Sequence, residues 1–376
     1  MRMRCIAVAA VAVAALTLGL AAPALAQQGG LPEKIKQIKL PPGFEISIYA
    51  RAKDARSMAI SKPLEAVWVG TRHDNLYAVL DRDSDYVADE VITRANNLNV
   101  PNGVTFHPAG MLYVVEHQKV SRLFAVEFDF EMPYAPETVY EGMPEPFLHG
   151  WRYAKFGPDG KLYIGVGAPC NICDTKGMEG SIIRMNADGS NVEVYAQGVR
   201  NSVGFDWHPK TGEMFFTDNG ADGLGDNRPP DELNHAPKKG MHFGYPFFAG
   251  GDVRSPGYED KKPPQEPTMP VVTFAAHSAN LGVHFYEGDM FPREYKNDAF
   301  VAQHGSWNRS TPIGYRIMRI KFDDKGMPTG KEVFASGWLQ GDSAWGRPVD
   351  IVELSDGSLL VSDDFSGTIY RISYNR

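Results

Sequence analysis

The feature that most constrains this chain is a recurring unit of short strand, tight turn and second apolar strand. It reads "GVTFHPAGMLYVVEH" from Gly103, "YAKFGPDGKLYIGVG" from Tyr153, "GFDWHPKTGEMFFTDNG" from Gly204 and "DIVELSDGSLLVSDD" from Asp350. Two weaker copies begin at Arg56 ("RSMAISKPLEAVWVGT") and Gly282 ("GVHFYEGDMFPREYKNDAFVAQHG"). In each, Pro, Asp or Gly supplies the turn and aromatic or aliphatic residues supply the flanking strands. Aligned on Ser61, Phe106, Phe156, Trp207, Phe285 and Glu353, the copies lie 45, 50, 51, 78 and 68 residues apart. Further strand-like runs such as "VSRLFAVEFDF" and "GYRIMRIKFD" lie between them, helical periodicity is almost absent, and turn formers abound, with 38 Gly and 27 Pro. About four strands per roughly 45-residue unit is the pattern of a propeller blade. Six copies therefore predict an all-β, six-bladed β-propeller, and the long regular period favours it over a β-sandwich. The two long intervals hold insertions, chiefly the Pro-, Gly- and Asp-rich stretch between Asn219 and Pro270.

The same register predicts a site. Seven residues before the anchors stand His149, Arg200, Ser278 and Asn99, and six before Glu353 stands Arg347. Positions leading into the innermost strands of successive blades should crowd one mouth of the channel, together with Asn201, His277 and Arg56. Arginine presents a rigid, permanently charged fork suited to carboxylates. Several around one pocket repel each other unless an anion sits among them. A lone histidine there is a candidate general base, because nearby cations lower its pKa and keep it proton-accepting. The plainer reading pairs each arginine with a local carboxylate; their equivalent repeat positions favour a shared polyanionic ligand.

Residues 1–26 read as a cleaved signal peptide: Arg2 and Arg4, an apolar run, then Ala24-Leu25-Ala26. A short N-terminal extension, 27–39, would precede a propeller domain over 40–376, exported to the periplasm or secreted. Loss of Arg2 and Arg4 takes the formal charge from −8 to −10, which argues against nucleic-acid partners. No other segment is long and apolar enough for stable membrane insertion. Cys5 leaves with the signal, and Cys170 and Cys173 in "GAPCNICD" are expected to form a loop-closing disulfide in an oxidising compartment. A metal site would want further ligands, and a redox pair a thioredoxin-like context.

Taken in order, "HGWRYAKFGPDGKLY", "GVRN", "DNG", "DELN", "FGYP", "HGSWNR" and "GRPVDIV" followed by "DGSLLVSDD" resemble the soluble pyrroloquinoline quinone (PQQ)-dependent sugar dehydrogenases, the L-sorbosone and aldose sugar dehydrogenase branch above all. The resemblance runs from Leu40 to the C-terminus and implies a six-bladed propeller with PQQ and Ca²⁺ at the channel mouth. It implies His149 as the base for the sugar hydroxyl and Arg200 as the catalytic arginine beside the reactive quinone carbonyl. Arg56, Asn102, Asn201, Arg309 and Arg347 are the implied cofactor-binding residues. Backbone carbonyls of Gly220 and Ala221 are implied ligands of the active-site Ca²⁺, and Glu232 of a second, structural one, all hard oxygen donors. Val349 stands where the family's glucose enzyme has another arginine, so Arg56 is the candidate for the remaining PQQ carboxylate. Ala221 replaces a proline, and Leu148 replaces the aspartate before the histidine, which separates this chain from a plain glucose dehydrogenase.

The reaction implied is oxidation of an aldose or sugar aldehyde at the anomeric carbon. A soluble cytochrome or a quinone would take the electrons, since no CxxCH haem signature is present. Two other classes remain open: a Ca²⁺-dependent lactonase on a similar propeller, and a non-catalytic ligand-binding propeller, since fold alone licenses no activity. "DRDSDYVADE" places Asp81, Asp83, Asp85 and Asp89 at calcium-loop positions, but with Tyr86 in the usual glycine place and Ile92 where the loop's glutamate belongs. It reads equally as a solvated acidic turn.

Overall fold

Each repeat unit folds as an antiparallel sheet whose first strand is the innermost. The computed structural model describes residues 30–61, 65–124, 126 and 134–375; the predicted signal peptide and residues 27–29 lie outside them. Six sheets of four or more strands form the blades of a β-propeller. Their innermost strands are Ala55–Ile60, Gly103–Phe106, Ala154–Phe156, Phe205–Trp207, Asn280–Phe285 and Pro348–Glu353, which pack on one another around the channel axis. Five of the six aligned anchors are the last residues of these strands, and Ser61 directly follows the sixth. The turns out of the inner strands are closed at Gly110, Gly160, Gly212 and Gly357, with φ between 67° and 89°, a region that costs glycine nothing.

The core lies between blades rather than within them, as face-to-face sheets require. Tyr153, Tyr163 and Tyr195 of the third blade pack with Phe205, Met214 and Phe216 of the fourth. Tyr153 meets Phe205 edge-on at 4.9 Å, and Tyr163 meets Trp207 at 5.1 Å. The insertion after Asn219 adds strand Met241–His242, which joins the third blade in parallel with Glu193–Gln197, and a hairpin of Phe248–Gly250 with Val253–Arg254. The fourth blade is then completed by Val272–Phe274.

Ring closure comes from the N-terminal side. Phe44–Arg51 pairs antiparallel with Thr368–Tyr374 and becomes the outer strand of the last blade, so a strand from one end of the propeller closes the blade at the other. Phe44 anchors it among Phe291, Tyr295, Phe334 and Tyr374, with centroids 4.7 to 5.1 Å away. Phe44→Leu is expected to cost about 1 kcal/mol through lost ring contacts, read as a lower denaturant midpoint at unchanged slope.

Candidate active site

At one mouth of the channel the blade lead-ins surround a cavity of about 450 Å³, within the range of small-molecule sites. Its walls include Arg56, His149, Arg200, Asn201, Gly220, His277 and Arg347. The repeat register therefore brought the predicted histidine and three of the predicted arginines together. Ser278 turns elsewhere: it is buried and donates to Asp231 at 3.2 Å.

His149 sits at φ 57°, a left-handed conformation that a non-glycine residue adopts at a cost. Two features hold it there. Gly167 permits the approach, since a Cβ on it would come within 2.4 Å of the His149 Cβ. Arg152, 1% exposed, donates to the His149 carbonyl at 3.3 Å and to those of His117 and Pro144 at 3.1 Å each. The imidazole Nδ1 lies 2.8 Å from the Ala168 carbonyl. A carbonyl can only accept, so Nδ1 carries the hydrogen and Nε2 keeps its lone pair. Burial, reinforced by Arg200 and then Arg152, pulls the pKa of His149 down to about 3. The ring is a neutral acceptor at any ordinary pH.

Arg200 is fixed at both ends. Its backbone N–H and those of Asn201 and Asn219 all donate to the buried Asp218 carboxylate, at 2.7, 2.6 and 2.9 Å. Its guanidinium donates to the Asn171 carbonyl and side-chain oxygen, to the Asn219 carbonyl, and to Asp222 at 3.0 Å. Arg347 differs, because it makes no ion pair among the described residues. It lies over Tyr315 and donates to the carbonyls of His304, Gly305 and Ser306. A cation satisfied by carbonyl dipoles alone retains its full charge for an anion in the cavity.

Arg56 has a different environment from the one its proposed carboxylate role requires. It is buried, donates to Asn102 at 2.6 Å and pairs with Asp364 at 2.8 Å. Asn102 itself is fully buried and stands behind Arg56, donating to the Arg152 carbonyl at 3.0 Å. Asp364 also receives Arg72 at 3.2 Å and His304 Nε2 at 2.7 Å; although burial opposes ionisation, these partners hold its carboxyl far below the usual carboxylate range. One carboxylate is thus shared by two arginines, both of which line the cavity, and Arg72 is the more exposed of the two. Arg72 follows the second strand of its blade, so counting back from inner-strand anchors misses it. Both guanidiniums lie over Trp151, at 5.7 and 5.2 Å from its ring centre.

Arg309 is not among the cavity's lining residues. It ties down the neighbouring loop through the carbonyls of Asp226, Ala276 and Thr311. His277 has both ring nitrogens engaged, with Gly225 and Asn308. Trp307, 76% exposed, and Leu148, 49% exposed, form an apolar lip.

Oxygen donors for a hard cation lie beside the cavity. Asp218, Asn219, Gly220 and Glu232 line a separate void of about 10 Å³, room for one ion-sized sphere. The buried Asn219 Oδ1 has no hydrogen-bond partner. Glu232 accepts from Asn234 at 2.8 Å and from the Gly251 N–H, and burial with Asp218 nearby raises its pKa. Two buried acids and an orphaned carbonyl oxygen suit Ca²⁺. Ala221 is buried, its N–H donating to Ala249 at 2.7 Å. In the acidic turn, Asp81, Asp83 and Asp89 bring oxygens within 4.8 Å of one another, and Tyr86 takes up the left-handed backbone, φ 67°.

The six blades thus bring a buried imidazole, His149, and four arginines, Arg56, Arg72, Arg200 and Arg347, to one channel mouth. A profile described as Glucose / Sorbosone dehydrogenase matches residues 135–371. The chain belongs to the glucose/sorbosone dehydrogenase family. It is 34% identical over 353 residues to an uncharacterized protein of Borreliella burgdorferi, covering 90% of this chain and 91% of that one. Its fold matches the PQQ-bound aldose sugar dehydrogenase of Streptomyces coelicolor at 20% identity and TM-score 0.63, over 90% of this chain and 100% of that one. It also matches a calcium structure of a Trichoderma reesei carbohydrate-active enzyme of family AA12 at 17% identity and TM-score 0.75, over 90% and 97% of the chains.

Proposed function

We propose that this protein is an exported, PQQ-dependent dehydrogenase that oxidises an aldose, or a related sugar aldehyde such as L-sorbosone, at the anomeric carbon. The observation that carries the reading is His149, whose Nδ1–H is committed to Ala168, leaving Nε2 to accept a proton in a cavity lined by arginines. Arg347 and Arg72 would meet cofactor carboxylates with Asn201 beside them, Arg200 would face the quinone carbonyl, and Gly220 would serve Ca²⁺ together with Glu232, which lines the same small void rather than a separate structural site. PQQ, when bound, supplies the two-electron quinone that takes up hydride from the anomeric carbon. His149 Nε2 accepts the proton of the anomeric hydroxyl, so a hemiacetal loses one hydride and one proton and becomes a lactone. Arg200, held by Asp222 and Asn171, offers fixed positive charge where oxygen charge develops.

Export is supported by the leader-like sequence and by the Cys170–Cys173 disulfide, and no helix among the described residues is long and apolar enough to cross a membrane. The electrons would pass to a soluble cytochrome or quinone. Trp307 offers its indole face to the apolar side of a sugar ring. Trp307→Ala is expected to raise KM about tenfold with kcat nearly unchanged, in steady-state kinetics on the preferred sugar. The reading as a whole is tested by a sugar panel with an artificial acceptor, with and without added PQQ and Ca²⁺. PQQ-dependent turnover of aldoses is expected; lactone hydrolysis without PQQ would replace the dehydrogenase by a hydrolase.

A further inference from the structure

We propose that Asn171 is the positioning residue for Arg200, and that the Cys170–Cys173 disulfide serves the site by holding Asn171 in place. The inference rests on the role given above to Arg200. Two of the four guanidinium bonds of Arg200 go to Asn171, one to its carbonyl at 3.0 Å and one to its Oδ1 at 2.7 Å. The same Oδ1 accepts from the Asp222 N–H at 2.8 Å, and Asn171 Nδ2 donates to the Asp222 carbonyl at 3.0 Å. Asn171 thus holds both the arginine and the backbone of its carboxylate partner. The asparagine sits inside the loop closed by Cys170 and Cys173. Tyr245 secures that loop from below: its hydroxyl accepts from the Cys173 N–H at 3.0 Å and lies 3.3 Å from the Cys170 carbonyl.

The segment Gly167–Asn171 also reaches His149. Ala168 N–H donates to the Arg200 carbonyl at 2.8 Å, and the Ala168 carbonyl accepts the His149 Nδ1 hydrogen at 2.8 Å. Five consecutive residues therefore set the orientation of the imidazole, the backbone of Arg200 and the direction of its side chain. A small covalently closed loop is a rigid support for such a task, and misplacing a charge by an ångström is enough to lose most of its effect on a reaction.

Two variants test this, Asn171→Ala and the pair Cys170→Ser with Cys173→Ser, alongside Arg200→Ala as the reference. The first readout uses the apo-protein and is independent of catalysis: NMR titration of the His149 ring, whose pKa Arg200 depresses. Asn171→Ala is expected to move that titration upward, in the direction of Arg200→Ala. The second readout is turnover of the loaded enzyme, where kcat is expected to fall about 10²-fold with KM little changed. The double serine variant should shift both in the same direction and by less, since the hydrogen bonds of Asn171 survive. An Asn171→Ala protein with the parental His149 titration overturns the proposal, whether or not its melting temperature or kcat has dropped. A parent protein that turns over no sugar defeats the dehydrogenase reading, while the titration still decides, on its own, whether Asn171 positions Arg200.

Discussion

Replacing His149 by Asn is expected to lower kcat by about 10³-fold while PQQ binding survives. The asparagine amide can still donate to the Ala168 carbonyl, now taken by Nδ1 at 2.8 Å, but it offers no basic lone pair to a sugar hydroxyl. Rapid mixing of the variant with PQQ, Ca²⁺ and sugar should show normal cofactor uptake followed by very slow quinone reduction. The pH profile is a second reading of the same group. Protonated imidazole cannot accept a proton, and burial and Arg200 set its pKa down to about 3. The acid limb of kcat/KM assigned to His149 should therefore lie far below the ordinary imidazole value of about 6.5, and Arg200→Ala should move it upward. Unchanged turnover in His149→Asn would remove the base assignment.

Asp364→Asn is expected to destabilise the fold by roughly 3–5 kcal/mol, the usual consequence of deleting one partner of a buried ion cluster. Arg56, buried at 4% exposure, would lose its counter-charge, and Arg72 and His304 would lose the acceptor they share with it. The sign of the pH dependence follows from the depressed pKa of Asp364. Its contribution is fully present above the unfolded carboxylate value of about 3.9 and is lost as pH falls toward the folded value. The stability gap between parent and variant, measured by denaturant unfolding, should be wide at neutral pH and should narrow below about pH 4. A gap that stays constant into acid would mean that the charge of Asp364 does not hold the arginines.

The propeller was legible because its repeat is written in turn chemistry and aromatic strands: Phe106, Phe156, Trp207 and Phe285 each end an inner strand. The closing strand Phe44–Arg51 has no counterpart in that pattern, since it completes a blade whose other strands lie at the far end of the chain. Counting back along equivalent strands found His149, Arg200 and Arg347 because the symmetry of the fold delivers them to one mouth. It did not find Arg72 or His304, each directly after the second strand of its blade, nor Asp364 at the same place in the last blade, because the count ran back from the inner strands, and it passed over Trp151, two residues beyond His149. Pairing was equally hidden. Nothing local in the sequence says that Arg56 meets a carboxylate 308 positions away, or that Arg309 turns toward the Asp226 loop.

The most direct test of the central claim is a stoichiometric titration of PQQ into calcium-loaded protein, followed by anaerobic addition of an aldose and observed through the quinone absorbance. Saturable binding that Arg347→Ala weakens, and bleaching on sugar addition that His149→Asn slows, are the expected results. Absence of saturable PQQ binding, or binding indifferent to Arg347, would contradict it.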